Sequence, residues 1–229
     1  MTTFLNPTFI ISILIALSVH EWAHGMMAYR LGDHTAKEQG RLTLNPISHL
    51  DLLGTILFLT VGFGWGKPVP INERNFRHPR RDIALTAVAG PASNLVLALA
   101  SFIGLTLLSA SLPTQSVFAL LDVASGGSLL QIFIVQLLAS SLFINLGLMA
   151  FNLLPIAPLD GSKVLGSFIP YQYELQFDVI MQRGPYILLF LLLAERLFGF
   201  PFLSGWIMTI MSSVLWLFQS MVDVVPGLS

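Results

Sequence analysis

The chain has 229 residues, 55% of them hydrophobic and only 10% charged, with a mean hydropathy of +0.78. A soluble domain carries about 25% charged residues, so the composition excludes one and points to a polytopic membrane protein. A net charge of −1 with 11 basic residues leaves no nucleic-acid footprint, and the absence of cysteine removes disulfides and thiolate metal ligands. The expected architecture is one all-α transmembrane domain over residues 1–229. It has a core over 8–168, C-terminal spans over 184–222 and no room for a separate soluble module.

Met1 to Pro7 contains no Lys or Arg, so it lacks the charged start of a signal peptide. A first span is expected from Thr8 to Tyr29, about 33 Å of helix and enough to cross a bilayer. Gly40-Arg41-Leu42-Thr43-Leu44-Asn45-Pro46 alternates apolar and polar residues and reads as a short strand. Leu52 to Val61 is apolar but too short to span, which suggests a re-entrant or interfacial segment. The glycines and prolines of Gly62 to Asn72 exclude a helix and suit an irregular piece at the membrane surface, with Trp65 at headgroup level. A second span is expected over Ile83 to Leu108 and a third over Leu129 to Leu154. Pro155 and Pro158 break the third, and Asp160-Gly161 favours a tight turn. Ser162 to Arg183 reads as partly helical. Pro185 to Leu197 and Phe200 to Val222 bring the total to about five transmembrane helices, or six, with a small strand-like membrane-associated segment between the first and second.

The first span contains Val19-His20-Glu21-Trp22-Ala23-His24-Gly25. Two histidines four apart on a helix lie about 40° apart around the axis and about 6 Å apart along it. Both imidazoles can therefore reach one metal ion. Glu21 borders the same face, where a carboxylate can take a proton from an attacking water. This is the His-Glu-x-x-His pattern of zinc hydrolases. Ionisable residues inside a span cost about 2.5–3.5 kcal/mol each for Asp, Lys or Arg at the helix centre, so three within two turns call for a compensating partner. A catalytic zinc site usually has three protein ligands and an open position. His34, His49 and His78 all fall in the basic connection, so Asp160, after the helix break, is the better third ligand.

Seven of the 11 basic residues lie between Leu31 and Arg81, namely Lys37, Arg41, Lys67, Arg74, Arg77, Arg80 and Arg81. The positive-inside rule then puts this connection in the cytoplasm and the N-terminus outside. His20 and His24 lie nearer the cytoplasmic end of the first span. The third span runs inward, so Asp160 reaches the same depth.

Taken together, His20-Glu21-Trp22-Ala23-His24 and Asn152-Leu-Leu-Pro155-Ile-Ala-Pro-Leu-Asp160-Gly161 resemble the site-2 protease family of intramembrane zinc metalloproteases. Gly90-Pro91-Ala92-Ser93-Asn94 is similar to that family's Gly-Pro-x-x-Asn segment. Gly40 to Pro46 and Gly64 to Pro70 resemble its compact prokaryotic branch without a PDZ domain. That branch often has Pro after the Asp of a His-x-Asp-Pro stretch, where this chain reads His49-Leu50-Asp51-Leu52. The resemblance covers about Ser12 to Phe168. It implies one Zn2+ held by His20, His24 and Asp160, with Glu21 as general base. Asn152 would be an oxyanion donor, and Asn94 a substrate-positioning residue or a polar helix–helix contact. His49 and Asp51 suit a structural role satisfying backbone.

The implied activity is cleavage of transmembrane segments of other membrane proteins in a prokaryotic inner or plasma membrane, with the site towards the cytoplasm. Expected partners are such a substrate and lipid, with no nucleic acid. The segments near Leu42 and Val69 suggest pairing with an unwound substrate by strand addition. A different class of protein, a non-catalytic metal-binding scaffold or metal carrier, has no need for a carboxylate beside His20.

Overall fold

The computed structural model describes residues 6–61, 64–110 and 128–224. α1 (Pro7–Arg30) starts at Asn6, whose side chain accepts the Thr8 N–H at 3.0 Å, with proline at the first helical position. A single turn, α2 (Thr35–Glu38), and the ten-residue α3 (Leu52–Val61) follow. α4 (Pro79–Ala110) also begins on proline, and the Asp82 carboxylate accepts the His78 N–H at 2.9 Å. α5 (Leu129–Asn152) opens with a capping box in which Ser128 and Gln131 satisfy each other's backbone. Among the described residues, four shorter or peripheral helices follow: α6 (Asp160–Phe168), α7 (Glu174–Gln182), α8 (Gly184–Phe198) and α9 (Phe202–Asp223).

The all-α polytopic architecture expected from composition is what folds. α1, α4, α5 and α9 are long and apolar enough to cross a membrane. α8 reaches about 22 Å at 1.5 Å per residue, short of a hydrocarbon core of about 30 Å. It makes a fifth span only jointly with Tyr171–Gln182, from which it bends by 49°. Glu195 near its end caps α9, accepting the Leu203 N–H at 2.9 Å.

The strand expected over Gly40–Pro46 does not form. Residues 40–45 are irregular and Pro46–His49 is a 3-10 turn. Local bonds explain this: Asn45 N–H donates to Thr43 Oγ1 and Asn45 Oδ1 accepts the Ile47 N–H, both at 3.1 Å, in place of a ladder. Among the described residues, sheet pairing is limited to one antiparallel bridge between Leu50 and Gly66. Gly62, Phe63 and the body of the connection expected between the second and third spans (111–127) lie outside the described residues.

α4 is the hub. It packs on α1, α5 and α6, and α1 also meets α5. Phe102 and Leu105 of α4 bury against Leu142 and Leu146 of α5 and Phe218 of α9. In lipid such contacts gain close packing rather than release of water, so small and polar residues carry much of the helix pairing. Ser12 Oγ donates to the Leu137 carbonyl (3.3 Å), Ser101 Oγ to Ser141 Oγ (2.8 Å) and Trp206 Nε1 to the Ala150 carbonyl (2.9 Å). The broken segment after α5 is anchored by Leu154 and Leu159, buried against Leu188 and Leu203. That anchorage fixes where α6, and hence Asp160, begins.

Candidate metal centre

His20 and His24 project from the second half of α1 and are both buried. Asp160 is the first residue of α6, so a helix start presents it, rather than the tight turn that Asp-Gly suggests. Gly161 has a different purpose. A Cβ there would overlap the carbonyl oxygens of Leu153 and Leu154, so glycine lets the start of α6 tuck against the end of α5. The three side chains then converge. His20 Nε2 and His24 Nε2 each lie 3.2 Å from Asp160 Oδ2, and the two nitrogens are 3.0 Å apart.

The hydrogen bonds behind the rings favour one tautomer of each. His24 Nδ1 lies 2.7 Å from the Thr86 carbonyl, which can only accept, so Nδ1 donates. His20 Nδ1 lies 2.6 Å from Asn94 Oδ1 and donates likewise. In the neutral rings both Nε2 atoms then keep their lone pairs, and these face each other and a carboxylate oxygen. Asp160 Oδ2 is buried and accepts no hydrogen bond from any described residue. Three buried acceptors with no donor among them form an arrangement that a cation completes. Two imidazoles and a carboxylate, with ligand atoms all within 4.8 Å of one another, match the donor set of a three-ligand catalytic zinc site. The residues present therefore fit a metal.

The Gly-Pro-x-x-Asn segment of α4 forms the floor. A side chain at Gly90 would overlap His24 Nε2 and His20 Cε1, so only glycine lets α4 pass beneath the two rings. Ser93 Oγ donates back to the Gly90 carbonyl at 2.7 Å. Asn94 is fully buried and holds His20. It is engaged by protein on every side, donating also to Asn145 Oδ1 at 2.8 Å and to the Ala16 carbonyl at 3.3 Å.

The sequence profile described as "Peptidase family M50" matches residues 8–192. The chain belongs to this family, the site-2 protease family. Within it, three similar relatives carry the name "Putative zinc metalloprotease". YwhC of Bacillus subtilis is 43% identical over 169 residues, covering 72% of this chain and 71% of that protein. Rip2 of Mycobacterium tuberculosis is 33% identical over 213 residues, covering 90% and 71%. Rip2 of Mycolicibacterium smegmatis is 31% identical over 189 residues, covering 80% and 66%. No solved structure matches the chain. As a site-2 protease family member the chain is an integral membrane metallopeptidase.

The other residues singled out in the sequence are held by backbone contacts. Glu21 Oε2 accepts the Val69 N–H at 2.9 Å, from an extended strap over residues 64–72. Asn152 ends α5, and its Nδ2 donates to the Leu148 carbonyl at 3.0 Å, with a second amide proton to spare. His49 Nε2 donates to the Thr43 carbonyl at 2.8 Å, and Asp51 Oδ1 accepts the Gly54 N–H at 2.8 Å at the start of α3. Leu52 is the first residue of α3, a position that also favours Pro, so the departure from His-x-Asp-Pro is accommodated locally.

Strand addition at Val69 meets an obstacle in the strap. Lys67 N–H donates to the His49 carbonyl (2.8 Å) and Val69 N–H to Glu21, while Pro68 and Pro70 have no N–H. Arg41 Nη2 takes up the Lys67 and Pro68 carbonyls at 2.9 and 3.2 Å. Residues 67–70 thus offer no free N–H to an incoming strand.

Proposed function

We propose that this chain is an intramembrane zinc endopeptidase that hydrolyses peptide bonds within or near transmembrane segments of other membrane proteins. Regulated intramembrane proteolysis and clearance of signal-peptide remnants are the two settings that suit it. One observation carries the reading: His20, His24 and Asp160 bring three acceptor atoms together inside a helix bundle, on a helix that places Glu21 beside them. Zinc bound there would polarise a scissile carbonyl and make water acidic enough to attack near neutral pH.

The protein's own residues supply the rest. Nδ1 of each histidine is tied to Asn94 or Thr86, which aims both Nε2 atoms inward. A Glu21 oxygen takes the proton of the attacking water and returns it to the leaving amine. The Val69 N–H holds the other end of that carboxylate in register. Asn152 can turn its spare amide proton towards the oxyanion. The basic residues between α1 and α4 support an N-terminus outside and a site facing the cytoplasm of a prokaryotic cell.

The experiment is zinc content and cleavage, measured together on wild type, Asp160→Ala and Glu21→Gln, with a fixed single-span substrate. About one zinc per wild-type chain, clearly weakened in Asp160→Ala and retained in Glu21→Gln without cleavage, is the expected pattern. Cleavage by Glu21→Gln at the wild-type rate would remove Glu21 as base. A wild type that takes up no supplied zinc would favour the scaffold.

A further inference from the structure

Asn145 sits in the middle of α5, fully buried, and its hydrogen bonds go to Asn94 and Ser141 rather than to any of the three ligand candidates. We propose that Asn145 is a positioning residue that fixes the tautomer of His20 through Asn94, along a hydrogen-bond chain beginning at a backbone carbonyl. The inference rests on the metal-site reading above.

Each link in the chain has only one possible direction. The Ser141 carbonyl can only accept, so Asn145 must turn its Nδ2 towards it, at 2.8 Å. Asn145 Oδ1 is then left facing Asn94. That oxygen can only accept, so Asn94 must present its Nδ2, at 2.8 Å. The Ala16 carbonyl, 3.3 Å from the same Nδ2, demands the same orientation. Asn94 Oδ1 is thereby turned to His20 Nδ1 at 2.6 Å, and Nδ1 must carry the proton. The lone pair is left on Nε2, the atom that faces Asp160 and His24. Flipping Asn145 would set acceptor against acceptor at Ser141 and donor against donor at Asn94, and flipping Asn94 would set its oxygen against Asn145 Oδ1 and the Ala16 carbonyl.

The contrast with His24 shows why the chain is needed. His24 Nδ1 reaches the Thr86 carbonyl directly, and a carbonyl admits one tautomer. His20 instead meets an amide side chain, which offers a donor or an acceptor according to its rotation. Something must hold that amide, and two carbonyls in different helices do so, one directly and one through Asn145. Asn145 also approaches Ser141 Oγ at 3.3 Å, to which Ser101 of α4 donates at 2.8 Å, so the far end is itself held. Partners that orient a metal-binding histidine are typically worth 10–100-fold in metal affinity or activity.

The test uses the purified full chain in lipid nanodiscs. In metal-free wild type with 15N-labelled histidine, at a pH where the rings are neutral, NMR should show His20 as a single species protonated on Nδ1. An Nε2-protonated His20 there overturns the proposal without any variant. Asn145→Leu should show both tautomers and bind zinc about 10–100-fold more weakly in competition with a chelator. Asn145→Asp is the conservative rescue. A buried protonated carboxyl can donate its O–H to Ser141 and accept from Asn94, so affinity and tautomer should return to near wild type. A folded Asn145→Leu with wild-type affinity and one His20 tautomer overturns the proposal, as does an Asn145→Asp no better than Leu. None of these readouts involves cleavage, so a chain that bound zinc and never cut would sink the protease reading and leave this one standing.

Discussion

The backbone N–H of Val69 donates to Glu21 Oε2 across 48 residues of sequence, at 2.9 Å. The contact joins the carboxylate beside His20 to a strap that is pinned on both sides of it. Lys67 N–H is tied to the His49 carbonyl on one side and Asn72 N–H to Asp33 Oδ2, also at 2.8 Å, on the other. Hydrogen bonds to a charged group contribute about 1.5–3 kcal/mol. Val69→Pro removes the donor and leaves Glu21 free to rotate. Cleavage of a fixed substrate should fall at least about tenfold, since 1.4 kcal/mol is a factor of ten, with zinc content unchanged. Equal rates for wild type and Val69→Pro would show that Glu21 needs no such hold.

Gly90 and Gly147 make a matched pair. Both are helical glycines, but a methyl at Gly90 overlaps the His20 and His24 rings, whereas one at Gly147 meets nothing within 4 Å. Gly90→Ala should therefore displace the rings and lose most bound zinc. Gly147→Ala should keep wild-type zinc and gain up to about 1 kcal/mol of helix stability. Metal analysis and thermal unfolding of the two proteins side by side check this. Normal zinc in Gly90→Ala would mean that α4 yields at this point.

Asp33 gives the strap a pH dependence. Burial alone would raise its pKa. The Thr35 hydroxyl, the Asn72 N–H, the Asn75 amide and the Thr35 N–H outweigh burial and hold the carboxyl below its ordinary value. A carboxyl lowered on folding adds stability that is full above the unfolded pKa of about 3.9 and is lost as pH falls through the folded value. Hydrogen-exchange protection of the Asn72 amide should be flat from neutral pH down to about pH 4 and then decline in excess of the intrinsic trend. Asp33→Asn should lower that protection at every pH and remove the decline. Identical profiles for the two proteins would leave Asp33 without this role.

Much of this was legible in the sequence because the informative residues are polar groups in apolar surroundings. His20, Glu21 and His24 stand out in a span, and the Pro155–Pro158 break announces that the chain does something other than cross the membrane near Asp160. Asn145 sends the same signal, an amide inside an apolar run, but nothing in its local sequence says which helix it faces. The roles of Gly90 and Gly161 were hidden for a related reason. Each is set by what lies opposite, two imidazoles in one case and two carbonyls in the other, and a glycine carries no trace of its neighbour. The expected strand over Gly40–Pro46 does not form because the side chains of Thr43 and Asn45 compete for the same backbone, which apolar–polar alternation does not reveal.

As the oxyanion donor proposed above, Asn152 should separate binding from rate. In the structure one proton of its amide goes to the Leu148 carbonyl, so the side chain is anchored to the last turn of α5 and can offer only its other proton. A group of this kind contributes to the transition state and little to the metal. Loss of one such donor costs about 2.7–4 kcal/mol in a soluble protease, or about 100–1,000-fold in rate. Asn152→Ala should therefore retain zinc and substrate binding while its turnover falls by that factor, leaving slow but measurable cleavage. Asp160→Ala and Glu21→Gln should show none under the same assay. Single-turnover rates with each variant saturated in substrate distinguish the cases. An Asn152→Ala protein that lost zinc along with activity would place Asn152 among the groups that build the site rather than among those that act in the reaction.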